Sequence, residues 1–174
     1  EARAFIPSYL EMKVTGNKGQ TGLRSYGPGI DTKAASSGYL LVFDNEIGGF
    51  VDDRWNMLGH NPHSEFDIQN DQVYIQGCDL FKVEVYANDN YKYEVEAGPL
   101  TSEKGSLPLH MRSGFSMQRF GGTFVFDEDG KIFEVAEKEA CEELTVYHQF
   151  RVPYGRNIAQ GRYDGTIVFR AYTL

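Results

Sequence analysis

Four histidines, a lone tryptophan and two adjacent aspartates are the residues whose types and spacing bear most directly on chemistry. His60 and His63 stand three apart in His60-Asn61-Pro62-His63, shortly after Asp52 and Asp53. Imidazole nitrogen with carboxylate oxygen is a donor set that divalent metals accept. Pro62 opposes the helix that would make such a pair converge, so the segment reads as a polar surface loop. Asp127-Glu128-Asp129-Gly130 shares the start of a calcium loop but lacks its third acidic position and its closing glutamate. A hairpin turn is the expectation there, and no metal or other cofactor is expected anywhere.

His110 and His148 are isolated in sequence. Inside a β-barrel cavity either would act as general acid or base, tuned by a carboxylate such as Glu134 and aided by Tyr147. The competing expectation is structural, since a lone histidine on a strand usually packs or faces solvent. Trp55 sits in a polar stretch beside Asp52, Asp53 and Arg54. An exposed indole flanked by carboxylates grips a sugar ring by stacking and hydrogen bonding; the alternative is a tryptophan covering a core edge. Tyr91 and Tyr93 are further candidates for an exposed contact surface. No glycine-rich phosphate loop, Gly-x-Ser-x-Gly elbow or Cys-x-x-Cys pair occurs.

These residues must be positioned by strands. Aromatics make up 14% of the 174 residues, material suited to pleated surfaces. The 19 glycines fall largely between apolar runs, as in chains with many turns. Strands are expected at Tyr9 to Val14, Gly38 to Asp44, Glu65 to Gln69, Gln72 to Gln76, Gly114 to Gln118, Leu144 to Val152 and Thr166 to Tyr172, while Ile47 to Val51 carries a Gly-Gly pair suited to a bulge or tight bend. Leu80 to Tyr86 and Tyr91 to Glu96 alternate apolar and polar residues about Ala87-Asn88-Asp89-Asn90, which predicts a hairpin. Thr123 to Phe126 and Lys131 to Val135 flank the second turn. Gly16 to Gly29 and Ala97 to Pro108 read as loops, and Ala136 to Glu143 as one short helix. Phe66-Asp67-Ile68-Gln69 and Phe115-Ser116-Met117-Gln118 hint at an internal repeat. The expectation is one all-β domain over residues 1–174. It would have a closed β architecture, β-trefoil-like or β-barrel, with at most one short helix.

The net charge of −8 disfavours nucleic acid and anionic membrane surfaces as partners. No apolar run is long enough for a membrane span. A start at Glu1 suits a mature secreted protein whose leader is gone, or a trimmed chain. In an oxidising compartment Cys78 and Cys141 are expected to form one disulfide, each preceding a strand in matching units.

Gly38 to Asp44 with Ile47 to Asp52, then Glu65 to Gln69 and Tyr74 to Phe81, resembles the β domain of secreted fungal cell-wall mannoproteins. That family repeats a short strand ending in Phe-Asp, a turn, Phe-x-Ile/Leu, a turn and an aromatic-rich strand. Cys141 to Val146 is similar to the cysteine and alternating strand near the end of cell-wall proteins with internal repeats. The likeness spans about residues 38–150; the family's Ser/Thr-rich stalk, anchor tail and short repeats do not occur here. It implies a non-enzymatic extracellular protein and carries over no catalytic residue.

Two functions follow as expectations. The first is a secreted, non-catalytic structural or binding domain facing polysaccharide through Trp55, Asp52, Asp53, Tyr91 and Tyr93. The second is a small β-barrel enzyme, a cyclase or isomerase, or a lipocalin-like binder of an apolar small molecule. His110, His148, Glu134 and Tyr147 would supply its polar groups.

Overall fold

The computed structural model describes residues 3–16, 23–25, 39–41, 43, 49–59, 72–77, 80–127 and 129–174. Among them the chain forms strands and no helix. The strands are Leu10–Gly16 (β1), Leu23–Ser25 (β2), Tyr39–Leu41 (β3), Gly49–Val51 (β4), Met57–Gly59 (β5), Val73–Gln76 (β6), Phe81–Ala87 (β7) and Tyr91–Ala97 (β8). They continue with Leu100–Ser102 (β9), Gly105–Leu107 (β10), Leu109–Gly114 (β11), Thr123–Phe126 (β12), Lys131–Lys138 (β13), Glu143–Tyr154 (β14) and Ile167–Thr173 (β15).

The 12-residue β14 is the spine of the main sheet. It pairs with β7 over Glu143 to His148 and with β6 over Arg151 to Tyr154. On its other edge it pairs with β11 over Tyr147 to Arg151, and β11 carries β12. β1 extends the sheet beyond β7, and β4 then β5 extend it beyond β6. The result is an open half-barrel, so the closed barrel or trefoil expected from sequence is not what the main sheet forms. A second layer, β13-β8-β15, lies over its inner face. Phe81, Phe150 and His148 of the main sheet meet Phe169 of β15, and Tyr93 of β8 meets His148.

Alternation dictates this layering. In β7, Phe81, Val83, Val85 and Ala87 are buried while the residues between them are half-buried. In β8, Tyr91, Tyr93, Val95 and Ala97 do the same. Both apolar rows enter one core with Leu144, Val146, Phe150 and Val152. Burial of a large apolar side chain contributes about 1.5–3 kcal/mol, so this shared row decides the arrangement.

β7 and β8 are nonetheless not the hairpin expected: β7 bonds to β1 and β14, and β8 to β13 and β15. The chain crosses between layers at Asn88-Asp89-Asn90, where side chains stitch the crossing. Asn88 Nδ2 donates to the Pro7 carbonyl at 2.9 Å, and Asn90 Oδ1 accepts from the Ala140 amide at 2.9 Å. Asp127 to Gly130 crosses in the same way, from β12 to β13. It is a turn, as expected, with the Gly130 amide donating to the Asp127 carbonyl and Gly130 at φ 64°, but not a hairpin. No metal-binding group of His, Cys, Asp and Glu occurs among the described residues.

Other expectations change as well. Ala136 to Glu143 is not a helix: β13 runs to Lys138, with Lys92 held between Glu134 and Glu137 at 3.2 Å each, and a turn follows. Ala97 to Pro108 contains the β9–β10 hairpin, and Gly16 to Gly29 contains β2. Phe115 to Gln118 is a turn with Phe115 and Met117 exposed, so it cannot repeat a strand. Phe66 to Gln69 lies outside the described residues. Cys141 is an exposed free thiol. With Cys141 unbridged, the expected Cys78–Cys141 disulfide is not formed; Cys78 itself lies outside the described residues.

Candidate functional site

The pairing registers place a set of polar and aromatic residues on the outer face of the half-barrel. Even-numbered residues of β14 enter the core, so Tyr147, Gln149 and Arg151 face outward. His110 stands opposite Arg151 across the β11–β14 pair, and Arg112 opposite Gln149. Thr123 of β12 stands opposite Arg112, and Gln76 of β6 opposite Arg151. Arg112 and Arg151 are thus diagonal neighbours on one face.

A tight turn closes over this face. Asp52 Oδ1 accepts from the amides of Arg54 and Asn56 at 2.9 and 2.8 Å, and Oδ2 accepts from Asn56 Nδ2 at 2.9 Å. Burial opposes ionisation of Asp52, but these hydrogen bonds win and hold its carboxyl below the usual range. The turn forces Trp55 to φ 66°, a left-handed conformation that costs a residue with a side chain roughly 1–2 kcal/mol. Trp55 is therefore held by its surroundings: it is 8% exposed, and its Nε1 donates to Thr123 Oγ1 at 3.2 Å.

Two guanidiniums pack on that indole. The Arg151 guanidinium carbon is 4.4 Å from the Trp55 ring centroid and 3.8 Å from that of Tyr74. Arg112 is 4.5 Å from the Trp55 and Phe120 centroids. Cation–π contacts of this kind gain about 0.5–2 kcal/mol each, more when desolvated. Arg151 Nη1 donates to the carbonyls of Asp52 and Asp53 at 2.7 and 3.1 Å, which ties the turn to β14. Arg112 Nε donates to Gln149 Oε1 at 2.7 Å. Burial and then the charge of Arg151 push Arg112 down to about 10 and His110 down to about 4. Burial lowers Arg151 too, opposed by Tyr74, Asp53 and Asp52.

Arg151 is 3% exposed, while Arg112, His110, Phe120 and Gln149 are half-buried. The patch therefore reaches solvent at Arg112. The His110 Nδ1 and Arg151 Nε atoms are buried without a hydrogen-bond partner among the described residues.

A second polar group lies inside. His148 is fully buried, with Nε2 2.8 Å from the Tyr93 hydroxyl and Nδ1 2.6 Å from Ser113 Oγ. Its ring stacks on Phe169 at 5.5 Å between centroids. Burial holds it neutral, with its pKa down to about 3. A neutral imidazole needs one donor and one acceptor partner, and the two hydroxyls satisfy both.

The residues singled out from sequence are thus dispersed. His110 is on the outer face and His148 in the core. Tyr147 is half-buried on the outer face near Lys82, and Glu134 is exposed on the other layer, paired with Lys92. They do not form one acid–base group. Tyr91 and Tyr93 are fully buried, so neither offers a contact surface. Trp55 is buried rather than exposed, and Asp52 and Asp53 serve the turn and Arg151. His60 and His63 lie outside the described residues. Sequence reasoning missed Arg112, Arg151 and Tyr74; the only available signal was their place on the polar side of alternating strands. Compared with known proteins, the chain matches no protein-family model, no curated protein and no solved structure.

Proposed function

We propose that this chain is a secreted, non-catalytic structural or binding domain that faces polysaccharide. Its contact surface is the outer face of the half-barrel around Arg112, Trp55 and His110. The observation that carries this is a half-buried guanidinium, Arg112, braced on aromatic rings and fixed by Gln149 at the mouth of the patch. A planar, pre-positioned donor fork loses little side-chain freedom on binding and suits the hydroxyl and acid groups of a saccharide. The dispersal of His110, His148, Glu134 and Tyr147 supports a non-catalytic role. The wall-protein resemblance of residues 38–150 favours an extracellular setting.

The second function, a β-barrel enzyme or carrier, is favoured by one observation: the Ser113–His148–Tyr93 hydrogen-bonded chain. Phe150 and Phe169 pack against that imidazole, which suits a packing role better than contact with a substrate. The test is retention of the purified protein on insoluble polysaccharides, with a glycan array in parallel. Saturable retention on at least one polysaccharide is expected, and no binding to any of them would refute the proposal.

A further inference from the structure

Arg112 and Arg151 are adjacent cations with no ion pair among the described residues, in a chain of net charge −8. The ion pairs of the described residues instead join Lys82, Lys92, Lys131, Lys138, Arg162 and Arg170 to carboxylates. The two arginines are held together by non-carboxylate partners: Trp55, Tyr74, Phe120, Gln149 and two backbone carbonyls. Asp52 and Asp53 are near enough to favour the charge on Arg151, but the Asp52 carboxylate is used within its own turn.

Like charges side by side in a half-buried site cost free energy unless something neutralises them. Arg151 Nε is moreover a buried donor with no partner among the described residues, so it does nothing to offset that cost. Beyond its bond to Gln149, Arg112 directs its terminal nitrogens to no partner among the described residues. Diagonal strand neighbours stand about 7–8 Å apart at the backbone, and both guanidiniums pack on Trp55, but only Arg112 is open to an incoming oxyanion, since Arg151 is 3% exposed.

We infer that Arg112, braced on Trp55 beside the buried cation Arg151, binds the carboxylate of an acidic saccharide. This rests on the polysaccharide-facing function proposed above and specifies its ligand. A guanidinium presents paired N–H donors that match a carboxylate's two oxygens. The aromatic rings around the site supply apolar surface for the sugar ring. The net charge of −8 opposes an anionic ligand at long range, but within the site the adjacent guanidinium charges outweigh distant carboxylates, whose field is screened beyond about 8 Å at physiological salt.

Trp55 is the only tryptophan, so intrinsic fluorescence reads this site directly. The experiment titrates the full chain with an oligogalacturonate, with the matching neutral oligogalactose, and with acetate alone. The expected result is a saturable change with oligogalacturonate, weakened at least tenfold by Arg112→Gln and weakened by added salt. Acetate should act only at far higher concentration, if the sugar ring contributes. Circular dichroism and thermal melting of Arg112→Gln establish that the variant is folded; Arg112→Lys, which keeps the charge but not the fork, should bind at intermediate strength. An equal response to the neutral oligosaccharide would overturn the carboxylate assignment while leaving polysaccharide binding intact. No response to either saccharide, with retention on other polysaccharides, would overturn the site; no retention on any polysaccharide would overturn the function beneath it. Acetate binding as tightly as oligogalacturonate would assign the site to free anions and overturn the saccharide assignment.

Discussion

Acidification should destabilise this protein in a pH range where carboxylates are still ionised, and His148 should be the main cause. The imidazole is fully buried, bonded to Tyr93 and Ser113, and kept neutral with a pKa of about 3. In the unfolded chain it takes a proton near pH 6.5. The folded pKa is depressed, so the unfolded state binds more protons, and stability falls as pH drops from about 6.5 toward about 3. Between pH 6.5 and pH 5 that is one and a half units at about 1.4 kcal/mol each, or roughly 2 kcal/mol lost. His110, held near 4, adds loss of the same sign in the same window, reduced by its partial exposure. The assay is urea unfolding at pH 7, 6 and 5 for the wild type and for His148→Gln, which retains hydrogen-bonding capacity toward Tyr93 and Ser113. The variant should lose about half or more of the pH dependence. NMR should show the His148 ring unprotonated down to pH 5 in the folded protein. An equally steep pH dependence in His148→Gln, or a His148 ring that titrates near 6.5 in the native state, would refute the buried-neutral assignment.

Further substitutions probe the same structure. Tyr93→Phe removes one of two hydrogen-bond partners of His148 and should cost roughly 1–3 kcal/mol in urea unfolding, the usual penalty for an unsatisfied buried polar group. Gly114→Ala drives a methyl into the Arg119 carbonyl, with no flexible side chain to yield, and should destabilise by roughly 2 kcal/mol or more in the same measurement. Asp52→Ala removes the acceptor that closes the turn around Trp55 and should shift Trp55 emission to the red as the indole meets water. Native-state thiol titration should find Cys141 reactive without denaturant, since its thiol is exposed and unbridged.

The sequence showed where strands lie better than how they pair. The alternation of Phe81, Val83 and Val85 correctly assigns which side of β7 is buried, whereas Tyr91 and Tyr93, expected on an exposed contact surface, share the buried row of Val95. Alternation carries no information about which edge finds which partner. A crossing between layers and a hairpin have the same local signature: two alternating runs about a polar turn. The difference lies in remote bonds, such as those from Asn88 to Pro7 and from Asn90 to Ala140. The same limit explains Trp55. Its sequence neighbours are carboxylates and suggest exposure, but Arg112 and Arg151, 57 and 96 positions away, decide its environment. His148 was more legible than its isolation implied. It falls in step with Leu144, Val146, Phe150 and Val152, and that phase places it in the core.

The most direct test of polysaccharide binding through the outer face is an NMR footprint. Labelled protein is titrated with a soluble fragment of whichever polysaccharide retains it, and the perturbed signals are mapped. Binding at this site predicts shifts in the Trp55 indole N–H, Arg112, Gln149 and Thr123, on β11, β12 and β14. Shifts confined to the outer face of β8, β13 and β15, around Lys92 and Glu134, would contradict it.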